Sequence, residues 1–247
     1  MLRKTIITTL ALLLSISLIT DGYSNGRDRN KSKQSAQVKK VKTVNAVSTK
    51  QATVKKTVLA AYGNVRKGGI QAINLKKGDR LIEVKMTDGN NDIMIGTRNG
   101  FAVRFNEKDV RDMGRTATGV RGVRLGKGDI VVGLLVIKRQ GTSVLVVTEK
   151  GYGKRSDIND YRITHRGGKG VITVKTNDKI GKMIAMMEVN DVDELVIIST
   201  KGMVIRQSVK DIRVMGRATQ GVRVIRLKDG DSIADIAKVV TDEGPEA

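Results

Sequence analysis

The sequence predicts an all-β fold built from repeated four-stranded units, three full and one partial, and three observations carry that expectation. The first is a period. Gly100, Gly151 and Gly202 lie 51 residues apart, and the register persists through Arg104, Arg155 and Arg206, then Asp109, Asp160 and Asp211, then Arg111, Arg162 and Arg213, then Arg115, Arg166 and Arg217, and last Gly119, Gly170 and Gly221. A fixed period near 50 residues belongs to stacked or radially arranged supersecondary units. The second is local: short β-branched runs end at turns where glycine supplies positive φ. The third is composition. With 27 Gly, a single Pro and 2% aromatic residues, the chain has many tight turns and an aliphatic core.

Each unit reads in the same order. The first strand is Asp92–Thr97, Ser143–Thr148 or Glu194–Ser199, and a turn at Gly100, Gly151 or Gly202 follows. The second strand, as in Phe101–Phe105 or Met203–Gln207, alternates and carries the periodic arginine on one face. After a loop rich in Arg and Gly, Gly119–Leu125 or Gly221–Leu227 reads as a third strand. A Gly-Asp turn at 128–129 or 230–231 leads into the apolar strand Ile130–Ile137 or Ile233–Val240. Four strands per unit is the content of a propeller blade. Upstream, Gly69–Leu75 and the pair Gly78-Asp79 match only the second half of a unit, so the first unit is expected to be partial. The expected boundaries are 58–90, 91–141, 142–192 and 193–240, with an acidic tail at 241–247.

Residues 1–57 fall outside this pattern. Met1 to Lys4 and the apolar run Thr5–Thr20 have the charge order of a signal peptide without a following A-x-A cleavage site, which leaves export open beside a cytoplasmic location. A competing reading is a degraded earlier repeat, because Ser17–Tyr23 echoes Val146–Tyr152. Residues 25–57, rich in Lys, Ser, Gln and Thr, read as a basic disordered linker.

The formal net charge is +21, of which residues 1–57 hold 12 basic and 2 acidic side chains. Such an excess calls for a polyanionic partner such as nucleic acid, with an anionic membrane surface or another polyanion as the rival class. The absence of Cys excludes disulfides, thiolate nucleophiles and zinc–thiolate sites.

The chemistry gathers in the Arg/Gly loops. The clearest is His165-Arg166-Gly167-Gly168-Lys169-Gly170 with Arg162 ahead of it, and its counterparts are Gly114–Val120, Gly216–Val222 and the shortened Arg66–Ile70. Glycine lets backbone N–H groups approach phosphate oxygens, and Arg or Lys adds charge-assisted hydrogen bonds. An isolated R-G-G is a weak signal; recurrence in every unit is what raises it. The expected DNA contacts are Arg66, Lys67, Arg115, Arg121, Lys154, Arg155, Arg162, His165, Arg166, Gly167, Gly168, Lys169, Gly170, Arg217 and Arg223. Arg124 and Arg226 are candidates to face inward, an assignment that a one-residue register slip would reverse. No catalytic group, metal site or cofactor is expected. His165 is the only histidine and has no evident orienting partner, and one Asp per unit at a strand end reads as a turn cap or an arginine partner.

The period, the T-x-x-G-x-x-x-R hairpin, the R-G-G-K-G loop and the R-L-x-x-G-D turn resemble the C-terminal domain of bacterial DNA gyrase A, shared in weaker form by topoisomerase IV. The resemblance spans residues 58–240 and is most specific over 92–240. It implies a β-pinwheel, a propeller-like disc whose blades exchange strands, that bends DNA around a basic rim and itself cuts nothing. Its implied partners are the breakage-reunion part, whose tyrosine domain is missing from this sequence, and the ATPase subunit. The family's glycine-rich box starts with Gln and normally lies in the first blade. Thr164–Gly170 has Thr there and His at the first basic position, and reads as an ordinary blade loop. The family has about six blades, which leaves a fragment, a split gene product and a diverged relative as open readings of this chain.

Overall fold

The computed structural model describes residues 42–65, 67–138 and 141–239. Every regular element there is a β-strand or a one-turn 3-10 helix, and no described helix is long and apolar enough to cross a membrane. The first unit contains β1 (Thr43–Ser48), β2 (Thr53–Val58) and β3 (Leu81–Thr87). The second contains β4 (Asp92–Thr97), β5 (Phe101–Asn106), β6 (Val120–Arg121) and β7 (Val131–Ile137). The third contains β8 (Ser143–Thr148), β9 (Tyr152–Asp157), β10 (Val171–Ile172) and β11 (Met183–Val189), and the fourth β12 (Glu194–Ser199), β13 (Val204–Ser208), β14 (Val222–Arg223) and β15 (Ile233–Val239).

The short third strand does not stay in its own unit. The sheets run β3-β1-β2-β6, β10-β5-β4-β7, β11-β8-β9-β14 and β13-β12-β15, all antiparallel. Each two-residue strand therefore completes the sheet of the unit before it, and the fold is the strand-exchanged disc segment that the resemblance implies. The seven-residue third strands expected at Gly119–Leu125 and Gly221–Leu227 shrink to β6 and β14. Segment Gly69–Leu75 forms no strand, because no described hairpin precedes it to supply a partner.

Two expectations about the start of the array are corrected. Residues 43–57, expected within a disordered linker, form the hairpin β1–β2, and Lys55 and Lys56 within it are buried. The Lys-, Ser-, Gln- and Thr-rich composition of residues 25–57 is what a solvated linker also has. The first sheet consequently has four strands, and the partial sheet is the last one, with three. The signal-like run Met1–Thr20 and the acidic tail 241–247 lie outside the described residues.

The turns hold for a reason visible in each unit. Gly100, Gly151 and Gly202 all have φ between 79° and 87° and close their hairpins by donating to Thr97, Thr148 and Ser199. The Gly-Asp pairs reach back to these turns. Asp129 accepts from the backbone N–H of Asn99 at 2.9 Å, Asp79 from Lys50 at 2.8 Å and Asp231 from Lys201 at 3.1 Å. The hydrogen bonds of Asp79 and Asp231 outweigh the burial that opposes their charge, and hold both carboxyls at about 2.

The cores lie between sheets. Ile93 and Ile95 of β4 pack with Val47 and Val54 of the first unit, while Met94, on the other face, packs with Val144 and Val146 of the third. Leu145 and Val147 then pack with Leu195 and Ile197 of the fourth unit. Strands β4 and β8 are thus buried on both faces, which explains their unbroken apolar runs. Met186 is buried in the core, with Met187 packed partly against the same cluster.

Candidate nucleic-acid interface

Each Arg/Gly loop lies across the hairpin of the unit before it. Backbone bonds from Met113 to Lys56, Thr164 to Arg104 and Met215 to Arg155 anchor its first half, at 2.8 Å each. Bonds from Gly122 to Ala52, Thr173 to Gly100 and Val224 to Gly151 anchor its second half. Between them the chain passes so close to the hairpin that only glycine fits. A Cβ on Gly119 would sit 2.7 Å from the carbonyl oxygen of Val54, one on Gly221 2.6 Å from that of Gly153, and one on Gly170 inside contact distance of Ala102. The periodic glycines of the loops are set by neighbouring backbone as well as by their positive φ.

Successive loops also bond to one another. Asn74 donates to Ala117, Arg124 to Gly168 and Lys175 to Thr219. The periodic arginines strengthen this row: Nη1 of Arg115, Arg166 and Arg217 donates to the carbonyls of Gln71, Arg121 and Ile172, 44 or 45 residues back. Arg166 Nε further donates to the Asp109 carbonyl at 3.0 Å, and His165 Nδ1 lies 3.3 Å from the Asp109 carboxylate. These arginines, expected as free phosphate contacts, are half-buried staples between loops.

The expected contacts divide accordingly. Lys67, Arg121, Arg162, His165, Lys169 and Arg223 are exposed; Gly167, Gly168 and Gly170 are half-buried within the loop they form; Arg66 lies outside the described residues. Lys169 sits 4.8 Å over the Phe101 ring, and Arg223 5.6 Å over that of Tyr152, which orients both cations outward from aromatic footings. Arg111 and Arg213, in register with Arg162, are exposed too, as are Arg124 and Arg226, so neither of the last two faces inward.

Lys154 and Arg155 are corrected. Lys154 is 0% exposed and Arg155 5%. Lys154 Nζ donates to Ser156 Oγ and to the carbonyls of Gly216 and Arg217, and desolvation, assisted by the charge of Arg217, lowers its pKa to about 8 against the pull of Asp160. Lys55 holds the preceding joint in the same way, through the carbonyls of Ala72 and Arg115. Arg155 spends its guanidinium on the Ile212 and Lys210 carbonyls and on Asp191; Arg104 does likewise with Ile158, Tyr161 and Asp92. Lys55, Lys154 and Arg155 are buried and Arg104 half-buried; all four clamp neighbouring units, and facing backbone carbonyls, unreadable in sequence, keep them there.

The middle joint lacks such a lysine. Val103 pairs with Ile95 as Lys154 pairs with Val146, but its side chain is too short to reach the loop. A cleft of about 270 Å³ remains, lined by Arg104, Arg162, His165 and Lys169 among others. No group of three or more metal-ligating side chains occurs among the described residues.

A family model described as the DNA gyrase C-terminal domain, beta-propeller, matches residues 47–88, 91–138, 142–190 and 193–239, one match per structural unit. The chain belongs to that family. DNA gyrase A of Staphylococcus epidermidis is 44% identical over 193 residues, 78% of this chain, and that of Ureaplasma parvum 46% identical over 190 residues, 77% of this chain. The chain spans 22% of the length of either relative. Among solved structures, the C-terminal domain of topoisomerase IV superposes with a TM-score of 0.75 at 28% identity, covering 80% of this chain and 62% of that one. A DNA gyrase A C-terminal domain gives 0.73 at 24% identity, covering 84% of this chain and 69% of that one, a likeness of fold. The family match begins at residue 47, inside the stretch that composition marked as linker.

Proposed function

We propose that this domain binds duplex DNA without sequence preference and bends or wraps it along the row of loops, as the accessory part of a type II topoisomerase. The supporting observation is the continuity of that row. Four consecutive loops hydrogen-bond edge to edge, and exposed Lys67, Arg121, Arg162, Lys169 and Arg223 are distributed along them. Phosphate contacts of this kind position a duplex without reading its sequence. Bending 20 to 30 base pairs by 40–90° costs about 1–6 kcal/mol, which phosphate neutralisation has to offset. With roughly six to ten phosphate contacts, affinity falls by about 10³ to 10⁵ between 50 and 200 mM salt.

In this reading the protein partners are the DNA-cleaving part and the ATPase subunit, supercoiling is the assembly's activity, and the domain works beside DNA in the cytoplasm. The test is a DNA minicircle relaxed by a nicking-closing enzyme in the presence of the domain. A shift in linking number that grows to saturation with added protein is expected; unchanged topoisomers at saturating, DNA-bound protein would reject wrapping.

A further inference from the structure

Three joints within the chain are built alike, and each end of the described array presents one half of a fourth. At each joint the second strand of a hairpin receives the short strand of the next unit: β2 receives β6, β5 receives β10 and β9 receives β14. Strand β13 receives none among the described residues. Its Val204, whose counterparts Ala102 and Gly153 are buried beneath incoming strands, is 60% exposed. Gly202 is uncovered in the same way. A Cβ at Gly100 or Gly151 would strike the carbonyl of Val174 or Ile225 from the next unit, whereas no described atom lies within 4 Å of one at Gly202.

The clamp is half made as well. Arg104 gives Nε and Nη2 to Asp92 and Nη1 to carbonyls at the next unit's 3-10 turn. Arg206 gives Nε and Nη2 to Glu194 in the same manner, but no bond from its Nη1 is seen among the described residues, and its side chain is 60% exposed against 13% for Arg104.

The first unit carries the missing half. Segment Gly69-Ile70-Gln71 aligns with Gly119-Val120-Arg121, and Gly69 already has the φ of 77° that its counterparts adopt, with no described atom within 4 Å of a Cβ placed there. Behind it stands the 3-10 turn Leu59–Tyr62, in the place of the turns that receive Arg104 and Arg155.

We propose that β13 of one copy receives segment Gly69–Gln71 of a second copy, joining copies head to tail by repeating the internal joint. Val204 then pairs with Ile70 and Met203 with Gln71 of the next copy, as Ala102 pairs with Val171 and Phe101 with Ile172. Arg206 donates its Nη1 to the carbonyl at Leu59 of that copy. The interface is heterologous, so its two surfaces differ and association can continue beyond two copies.

The chain has no Cys, which makes the join testable by cross-linking. V204C and I70C are prepared as separate variants, mixed and oxidised, and the mass of the unmodified chain is followed by sedimentation over a concentration series. The join predicts a disulfide-linked dimer from the mixture and none from either variant alone, together with a mass that rises to two copies or more. R206A, a change at an exposed side chain that leaves the fold intact, should weaken association at least tenfold. A mass of one copy at every concentration without cross-linking would overturn the join, as would an intramolecular disulfide in the V204C/I70C double variant. None of these readouts involves DNA, so they succeed or fail independently of the wrapping reading.

Discussion

Lys154 Nζ donates to the carbonyl oxygen of Gly216 at 2.6 Å across a separation of 62 residues, from beneath the loop that carries Arg217. A lysine expected to meet phosphate instead holds the backbone of the loop that carries Arg217. K154M leaves the carbonyls of Gly216 and Arg217 without this donor, and the loss of buried hydrogen bonds costs about 1–3 kcal/mol. At about 2–4 °C per kcal/mol for a protein of this size, the melting temperature falls by several degrees. The salt dependence of DNA binding, measured well below that temperature, should stay as in the parent; an unchanged melting temperature would contradict the clamp.

The same lysine gives a pH signature. Its folded pKa of about 8 lies below the roughly 10.4 of an unfolded lysine. Between those values the unfolded chain holds more protons, so this group makes stability rise with pH across that window. Lys55 is lowered in the same direction, by desolvation first and then by Arg115. Urea midpoints at pH 7.5 and 9.5 should show the gain, and K154M should reduce it.

Acid should act on the turns. The carboxyls of Asp79 and Asp231 are held at about 2, below the roughly 3.9 of an unfolded Asp, so their contribution is complete above pH 4 and is lost as pH falls toward 2. Protection of the Lys50 and Lys201 amides, whose N–H groups donate to these carboxylates, taken relative to the intrinsic exchange rate at each pH, should fall over that interval and be low throughout in D79N and D231N, respectively.

Glycines of equal φ should respond unequally. G202A meets only the backbone cost of a left-handed residue, about 1–2 kcal/mol. G170A meets that cost and also drives its Cβ into the Ala102 carbonyl, which belongs to a strand and cannot withdraw. Chemical denaturation should show G170A at least twice as destabilised as G202A.

The exposed cations should behave in the opposite sense to the clamps. R121A and R223A should leave the melting temperature within about 2 °C of the parent while each lowers the slope of log affinity against log salt by about 1. Filter binding or anisotropy over 50 to 200 mM salt measures this. A slope unchanged in both variants would remove these residues from the interface.

Much of the fold is legible in the sequence because it is local. Ile93 and Ile95 declare a strand by their β-branching and by the apolar run they continue through Met94; Asn99-Gly100 declares its turn; the recurrence of Gly119, Gly170 and Gly221 declares a shared backbone constraint. Lys55 and Lys56 mislead because two adjacent charges in a Thr-rich stretch are what a solvated tail also contains. Their burial depends on the carbonyls of Ala72, Arg115 and Glu107, which composition cannot place.

The sequence alone determined the period, which is a recurrence of residue types, and the strand and turn chemistry and basic character of the loops, which depend on residues within a few positions of one another. Only the tertiary structure decided which sheet each short strand completes, which cations are clamps and which face solvent, and which of the described sheets has three strands. Those outcomes depend on backbone carbonyls some 45 to 60 residues away, brought within 3 Å of a side chain only when consecutive units dock.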